Sequence, residues 1–523
     1  AACIGRRYPV AGQQRNHCRV HRRFCCIRQP TYAGNVAIAG IACAAPLDSP
    51  EFALTLRRYL IIFTMTLAIA ACTDNGGAPQ TEAAMKKEAT ASDGPPNPLL
   101  DDWDTPFGVP PFERIRPEHY LPAFRAGMAQ QNEEIAAIVA NEAAADFLNT
   151  VEALERSGSA LTRVTRVFFP VNSANSDDVI KETAKTIAPE LSAHRDDIRL
   201  NDRLFERIDS VYGMRDSLAL NPEQRRLLDE THKRFIRAGA NLDISQKARL
   251  RAINSQLATL STEFNQNLLE ETNNFELLVT ERESLGDLPK SLVALAAQRA
   301  KENGHECECW SFSLQRPSIN PFLQYSPDRD ARKYLFDGYA MRANNGNEFD
   351  NNNIIAETVS LRAERAQLLG YASHAEYVLA DRMAETKELV YELLDQVWKP
   401  ALATAIEERA ARQKMMNDDG IDGALQGWDW RYYTEKVRKA RYDFDEEALR
   451  PYFEVNAVRD GVFELSNRLF GLTFKRREDI TGWHSEQQVF EVFDEDGSHL
   501  AVLYMDFFAR DSKRCLLYTS PSP

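Results

Sequence analysis

Leu250, Ile253, Leu257, Leu260, Phe264 and Leu268 recur at steps of three and four residues. One face of an α-helix satisfies that period and a strand does not, so the segment predicts a long helix with a single apolar stripe packed in a bundle. Punctuation elsewhere agrees. Asn221-Pro222 supplies an N-cap followed by proline at the first helical position, and Gly239 stands where that helix would end. Residues 289–303 close on Gly304 and residues 456–470 on Gly471 in the same way. Strand signals are few: 275–280, 310–315, and a hairpin of 489–493 and 500–508 around Asp494-Glu495-Asp496-Gly497. No fixed-period repeat is present. From about Pro117 the body therefore reads as mainly α, with a small β-sheet near its C-terminal end.

Charge and cysteine are not spread evenly. The 523 residues carry a net charge of −14, which excludes a general nucleic-acid binder with a basic face. Residues 1–71, however, hold nine Arg, no Lys and two acids (Asp48 and Glu51), a net +7, so the remainder stands at −21. Cys3, Cys18, Cys25, Cys26 and Cys43 also crowd into the head. His17 and His21 have the spacing of half a zinc finger, but those cysteines supply no C-x₂₋₄-C pair to complete one. Residues 1–53 read as upstream DNA translated past the true start. With them set aside, the cysteine excess largely disappears and no disulfide framework is expected.

Arg57-Arg58 is followed by an uncharged apolar stretch from Tyr59 to Ala71 and then by Cys72. A basic start, a short apolar run and small residues before a cleavage point describe a secretory signal peptide, 54–71. The run is too short to span a bilayer, which takes roughly 20 residues. Ile69-Ala70-Ala71-Cys72 resembles a bacterial lipobox, which makes Cys72 the expected lipidation site. Residues 72–102, rich in Ala, Gly, Pro, Thr and charge, read as a disordered tether. These features predict a bacterial cell-envelope protein, lipid-anchored or periplasmic, whose only membrane contact is that anchor.

His305-Glu306-Cys307-Glu308-Cys309 comes within one residue of H-E-x-x-H, the helical zinc motif in which the Glu activates water. Gly304 has just ended a helix and Trp310 begins a strand pattern, so a polar loop is expected here. In a strand, positions i and i+4 lie roughly 13 Å apart, too far to share one metal. His119, His194, His232, His374, His484 and His499 are isolated. Glu407-Glu408 and Asp418-Asp419 read as solvated helix faces. No nucleophile elbow, P-loop or dinucleotide fingerprint occurs. Residue by residue, no catalytic and no metal-binding residue is assigned.

Several segments in series are nonetheless familiar. Pro106-Phe-Gly-Val-Pro-Pro-Phe-Glu-Arg-Ile115 precedes His119-Tyr-Leu-Pro-Ala-Phe-Arg-Ala-Gly-Met128. Leu154-Glu-Arg-Ser-Gly-Ser-Ala-Leu-Thr-Arg-Val-Thr-Arg-Val-Phe-Phe169 and Phe264-Asn-Gln-Asn-Leu268 follow. Leu368-Leu-Gly-Tyr-Ala-Ser-His-Ala-Glu-Tyr377, Asp381-Arg-Met-Ala384 and Trp428-Asp-Trp-Arg-Tyr-Tyr433 come next. Leu449-Arg-Pro-Tyr-Phe453 and Met505-Asp-Phe-Phe-Ala-Arg-Asp-Ser-Lys513 complete the set. From about residue 98 to 514 the chain resembles bacterial peptidyl-dipeptidases of the thimet oligopeptidase and oligopeptidase A family of zinc metallopeptidases.

That resemblance implies a two-lobed helical zinc-oligopeptidase fold with a small β-sheet, one zinc ion, and a monomer that removes dipeptides from short peptides. It also implies that residues 103–514 are the N-terminal and partial catalytic region, cut before the family's H-E-x-x-H helix. The zinc ligands and catalytic residues would then lie outside this chain, which would be inactive by itself. Residues 515–523 read as a foreign tail. An oligopeptidase A-like endopeptidase and a non-catalytic, peptide-binding helical lipoprotein are the alternatives. Apolar faces left without the missing helices are expected to be exposed.

Overall fold

The computed structural model describes residues 41–42, 97–443 and 447–513. Within the segment set aside at the N-terminus, Ile41–Ala42 form a two-residue strand, β1. Cys72, most of the tether and the tail lie outside the described residues.

Helices α1 (Tyr120–Val139), α2 (Ser159–Ala174) and α3 (Asp178–Arg199) share a core containing Phe124, Phe168, Ile180 and Ile187. Phe124 and Phe168 meet edge-on with ring centres 5.1 Å apart. Gly127 lets α1 and α2 close: a Cβ at that position would lie 2.9 Å from the Leu161 Cα, inside van der Waals contact. Two of the segments that carry the resemblance therefore meet at a backbone-to-backbone approach.

Helix α4 (Asp202–Gly213) packs on α5 (Pro222–Ala238). The start of α5 is the one expected. The Asn221 side chain accepts from the Gln224 N–H, Gln224 returns a bond to the Asn221 N–H, and Gly239 ends the helix at φ +97°. The stripe lies on α6 (Ile244–Asn274), which buries Leu250, Ile253 and Leu260. Near its end Leu269 is buried and Leu268 only partly so, because 3.6 residues per turn rotates a long stripe off a fixed step.

Strands β2 (Leu277–Val279) and β3 (Trp310–Phe312) pair antiparallel, with Leu278 opposite Ser311, and α7 (Lys290–Glu302) connects them. Both strands are shorter than the sequence signals. Then come α8 (Arg316–Tyr325), α9 (Arg329–Ala340), α10 (Asn352–Leu368), α11 (His374–Leu379), α12 (Lys387–Asp418), α13 (Trp430–Tyr442) and α14 (Val455–Phe470). Helix α6 packs against both α3 and α10.

The second sheet runs β1-β6-β5-β4, antiparallel throughout, with β4 at Thr473–Arg476, β5 at Gln488–Phe493 and β6 at His499–Met505. Strand β4 is not signalled in the sequence, since three of its four residues are polar; pairing with β5 and the stacking of Phe474 on Phe463 at 3.9 Å hold it. Strand β6 ends at Met505 rather than near 508, because the Asp506 carboxylate turns the chain by gathering Arg510 and Lys513. Far earlier residues seat on this sheet. Phe107 stacks on His499 at 3.9 Å, and Val109 is buried with Val489 and Val502.

Large apolar side chains stand exposed on α12 and α14. Trp398 is 63% exposed and Val462 51%, with Leu393, Val397, Leu465 and Leu469 similarly open.

Candidate functional site

Helices α8, α9, α12 and α13 line a cavity of about 850 Å³. Its wall carries Arg316, Arg412, Arg431 and Arg438, a single carboxylate from Glu435, and the rings of Phe336, Tyr339 and Trp430. Asp429 fixes α13 against α9 from behind. Fully buried, it accepts from Arg329 Nε and Nη2 at 3.0 and 2.8 Å and from Arg332 Nη2 at 3.1 Å. Burial works to raise the Asp429 pKa, but the hydrogen bonds from Arg329, the Gln426 N–H and Arg332 outweigh it and hold it below the ordinary range.

The cavity side chains are positioned by one another. Arg412 Nε donates to Thr434 Oγ1 at 2.7 Å, its Nη2 meets Glu408 at 3.2 Å, and its guanidinium lies 4.4 Å from the centre of the Trp430 ring. Glu435 accepts from Gln324 Nε2 at 2.9 Å and pairs with Arg438. Phe336 closes the wall over Gly427, where a Cβ would sit 2.5 Å from the ring.

A second polar cluster surrounds Asp506. Its Oδ1 accepts from Arg510 Nη1 at 2.8 Å and Lys513 Nζ at 2.9 Å, and its Oδ2 from Arg510 Nη2 at 2.7 Å and Trp483 Nε1 at 3.3 Å. The same loop reaches three helices. Arg510 donates to the Ala174 carbonyl, Asn273 to the Asp511 carbonyl, and Gln315 to the Asp511 carboxylate, at 2.8, 3.1 and 2.9 Å. The Met505–Lys513 segment that contributes to the resemblance is thus a structural knot joining the ends of α2 and α6 and the start of α8 to the sheet.

The near-motif at His305 is a loop, as expected. His305 Nε2 meets Glu276 Oε2 at 3.0 Å, and the other Glu276 oxygen accepts from Ser311 Oγ at 2.6 Å and Asn303 Nδ2 at 2.8 Å. Burial would raise the Glu276 pKa, but bonds from Ser311, Asn303 and His305 bring it down to about 2. Cys307 and Cys309 are joined as a disulfide, which the sequence reading does not foresee; the turn brings their Cα atoms to 5.3 Å. With both sulfurs bonded and the imidazole committed, this loop does not fit a zinc ion. No group of three or more metal-ligating side chains forms among the described residues. Cys72, the expected lipidation site, lies outside them.

The sequence reading missed the arginine cavity. Arg316 lies 96 positions from Arg412, and only the fold brings them together. The gathering of aromatic and basic residues between Trp428 and Arg438 is the one local signal.

Residues 322–518 match peptidase family M3. The chain is 41% identical over 418 residues to a dipeptidyl carboxypeptidase of Salmonella typhimurium and 40% identical over 418 residues to that of Escherichia coli. It is 31% identical over 423 residues to oligopeptidase A of Escherichia coli. Each match covers 80% of this chain and 61% of the relative, so the chain spans about three fifths of the length of the curated relatives it matches. Segments of the resemblance meet at the Gly127–Leu161 contact between α1 and α2, and another forms the Asp506 knot. Along these matched lengths the chain is similar to the dipeptidyl carboxypeptidases, and over residues 322–518 to peptidase family M3.

Proposed function

We propose that the whole protein is a zinc-dependent peptidyl-dipeptidase that acts on short peptides as a monomer. The observation that carries this reading is the 41% identity to a dipeptidyl carboxypeptidase across 80% of the chain, against 31% to an oligopeptidase A. Zinc would supply an activated water. The described residues provide no ligand set for it, so no step is assigned to them through the metal; they form the scaffold on which that chemistry would stand.

Reading the source gene in frame beyond codon 514 tests the proposal. An H-E-x-x-H should follow, and the protein expressed with it should release C-terminal dipeptides from an unblocked peptide until a chelator is added. Release of internal fragments alone would favour an oligopeptidase A-like endopeptidase. No motif in frame would leave a non-catalytic, peptide-binding lipoprotein.

The lipid anchor on Cys72 and the envelope location rest on the signal-like run and the lipobox. Among the described residues no helix is long and apolar enough to cross a membrane. Cys72→Ala should move the exported protein from the membrane fraction to the soluble fraction; unchanged fractionation refutes the anchor.

A further inference from the structure

The geometry points to a second function for the cavity between α8, α9, α12 and α13: a site for a small ligand carrying two or more closely spaced oxyanions, phosphate or carboxylate. Four guanidinium groups and one carboxylate line it. That sign runs against the chain as a whole, which carries −14, so the basic wall does not follow from composition. Two of the four arginines are occupied within the protein: Arg412 by Glu408 and Thr434, and Arg438 by Glu435. Arg316 and Arg431 are exposed at the wall, and among the described residues no acidic side chain lies within ion-pair distance of either.

Guanidinium forks bind oxyanions through paired N–H donors, and a concave wall of one sign concentrates anions. The volume of about 850 Å³ lies in the range of small-ligand sites, roughly 300–1,000 Å³. Trp430 and Phe336 add an apolar surface for the body of the ligand. This inference is independent of the peptidase reading and asks nothing of a metal.

Calorimetric titration of the full chain with tripolyphosphate and, separately, with tri-glutamate tests it in low salt. At least one probe should bind at micromolar to low-millimolar concentration and weaken as salt is raised. The double variant R316Q/R431Q, checked for an unchanged melt, should bind at least tenfold more weakly, while R382Q, outside the cavity wall, should match the parent. Tighter binding of tripolyphosphate would identify a phosphate ligand, and tighter binding of tri-glutamate an acidic peptide; either supports the site. Failure of both probes to bind, or equal binding by parent and double variant, overturns it.

Discussion

Asp506 and Arg510 face each other through two hydrogen bonds of 2.8 and 2.7 Å, and Arg510 gives a third, at 2.8 Å, to the carbonyl of Ala174. A carboxylate at the end of β6 thereby secures the end of α2, more than 300 residues earlier. Lys513 completes the cluster and is nearly buried.

Removing the carboxylate leaves the buried Lys513 and the half-buried Arg510 without their shared partner. Breaking such a pair costs about 3–5 kcal/mol. Asp506→Ala should therefore lower stability by about that amount in urea unfolding, whereas Asp494→Ala, in the exposed hairpin turn, should cost under ~1 kcal/mol. Equal losses would mean that the knot does not hold the sheet to the helices.

Gly127→Ala sets two effects against each other. Alanine favours a helix interior by about 1 kcal/mol, but its Cβ would press on the Leu161 backbone at 2.9 Å, which has no flexible end to move aside. Overpacking of this kind costs about 1–3 kcal/mol. Net destabilisation is expected, read as a lower thermal midpoint; a rise would show that α1 and α2 can separate freely.

Glu276 makes stability depend on acid. Its folded pKa, about 2, lies below its ordinary 4.5, so the unfolded chain takes up the proton first as pH falls. Its contribution is complete above about pH 4.5 and is lost as pH falls from there toward 2. The stability gap between the parent and Glu276→Gln should be widest near pH 6 and close toward pH 2. A gap constant across that range would exclude the Ser311, Asn303 and His305 bonds as its source.

The apolar faces of α12 and α14 should make this chain adhesive. Contiguous exposed apolar surface drives association and dye binding. The chain should bind a hydrophobic fluorophore and sediment heavier than a monomer at raised concentration. The double variant Val397→Glu/Val462→Glu should reduce both signals without lowering the melt. A monomeric parent with no dye signal would count against exposure of these faces.

Helix positions were legible because their determinants are local. The Asn221 cap and the glycines at 239, 304 and 471 act within a turn of themselves, and the Leu250–Leu260 stripe repeats at the helix period. The hairpin turn at Asp494–Gly497 was legible for the same reason. Strand β4 was not, since Thr473–Arg476 is an edge strand with three polar residues and only its partner β5 makes it a strand. The extent of β6 was missed because what stops it is a side-chain cluster rather than a turn residue.

The sequence by itself determined the helical class, the ends of several helices and, through segments in series, the family resemblance. Those properties depend on neighbours within a few residues or on order along the chain. Tertiary structure alone decided that Phe107 lies on His499, that Arg510 holds Ala174, and that Arg316 and Arg431 share one cavity. Each of these joins residues separated by more than a hundred positions, and no local propensity or period reports a contact at that range.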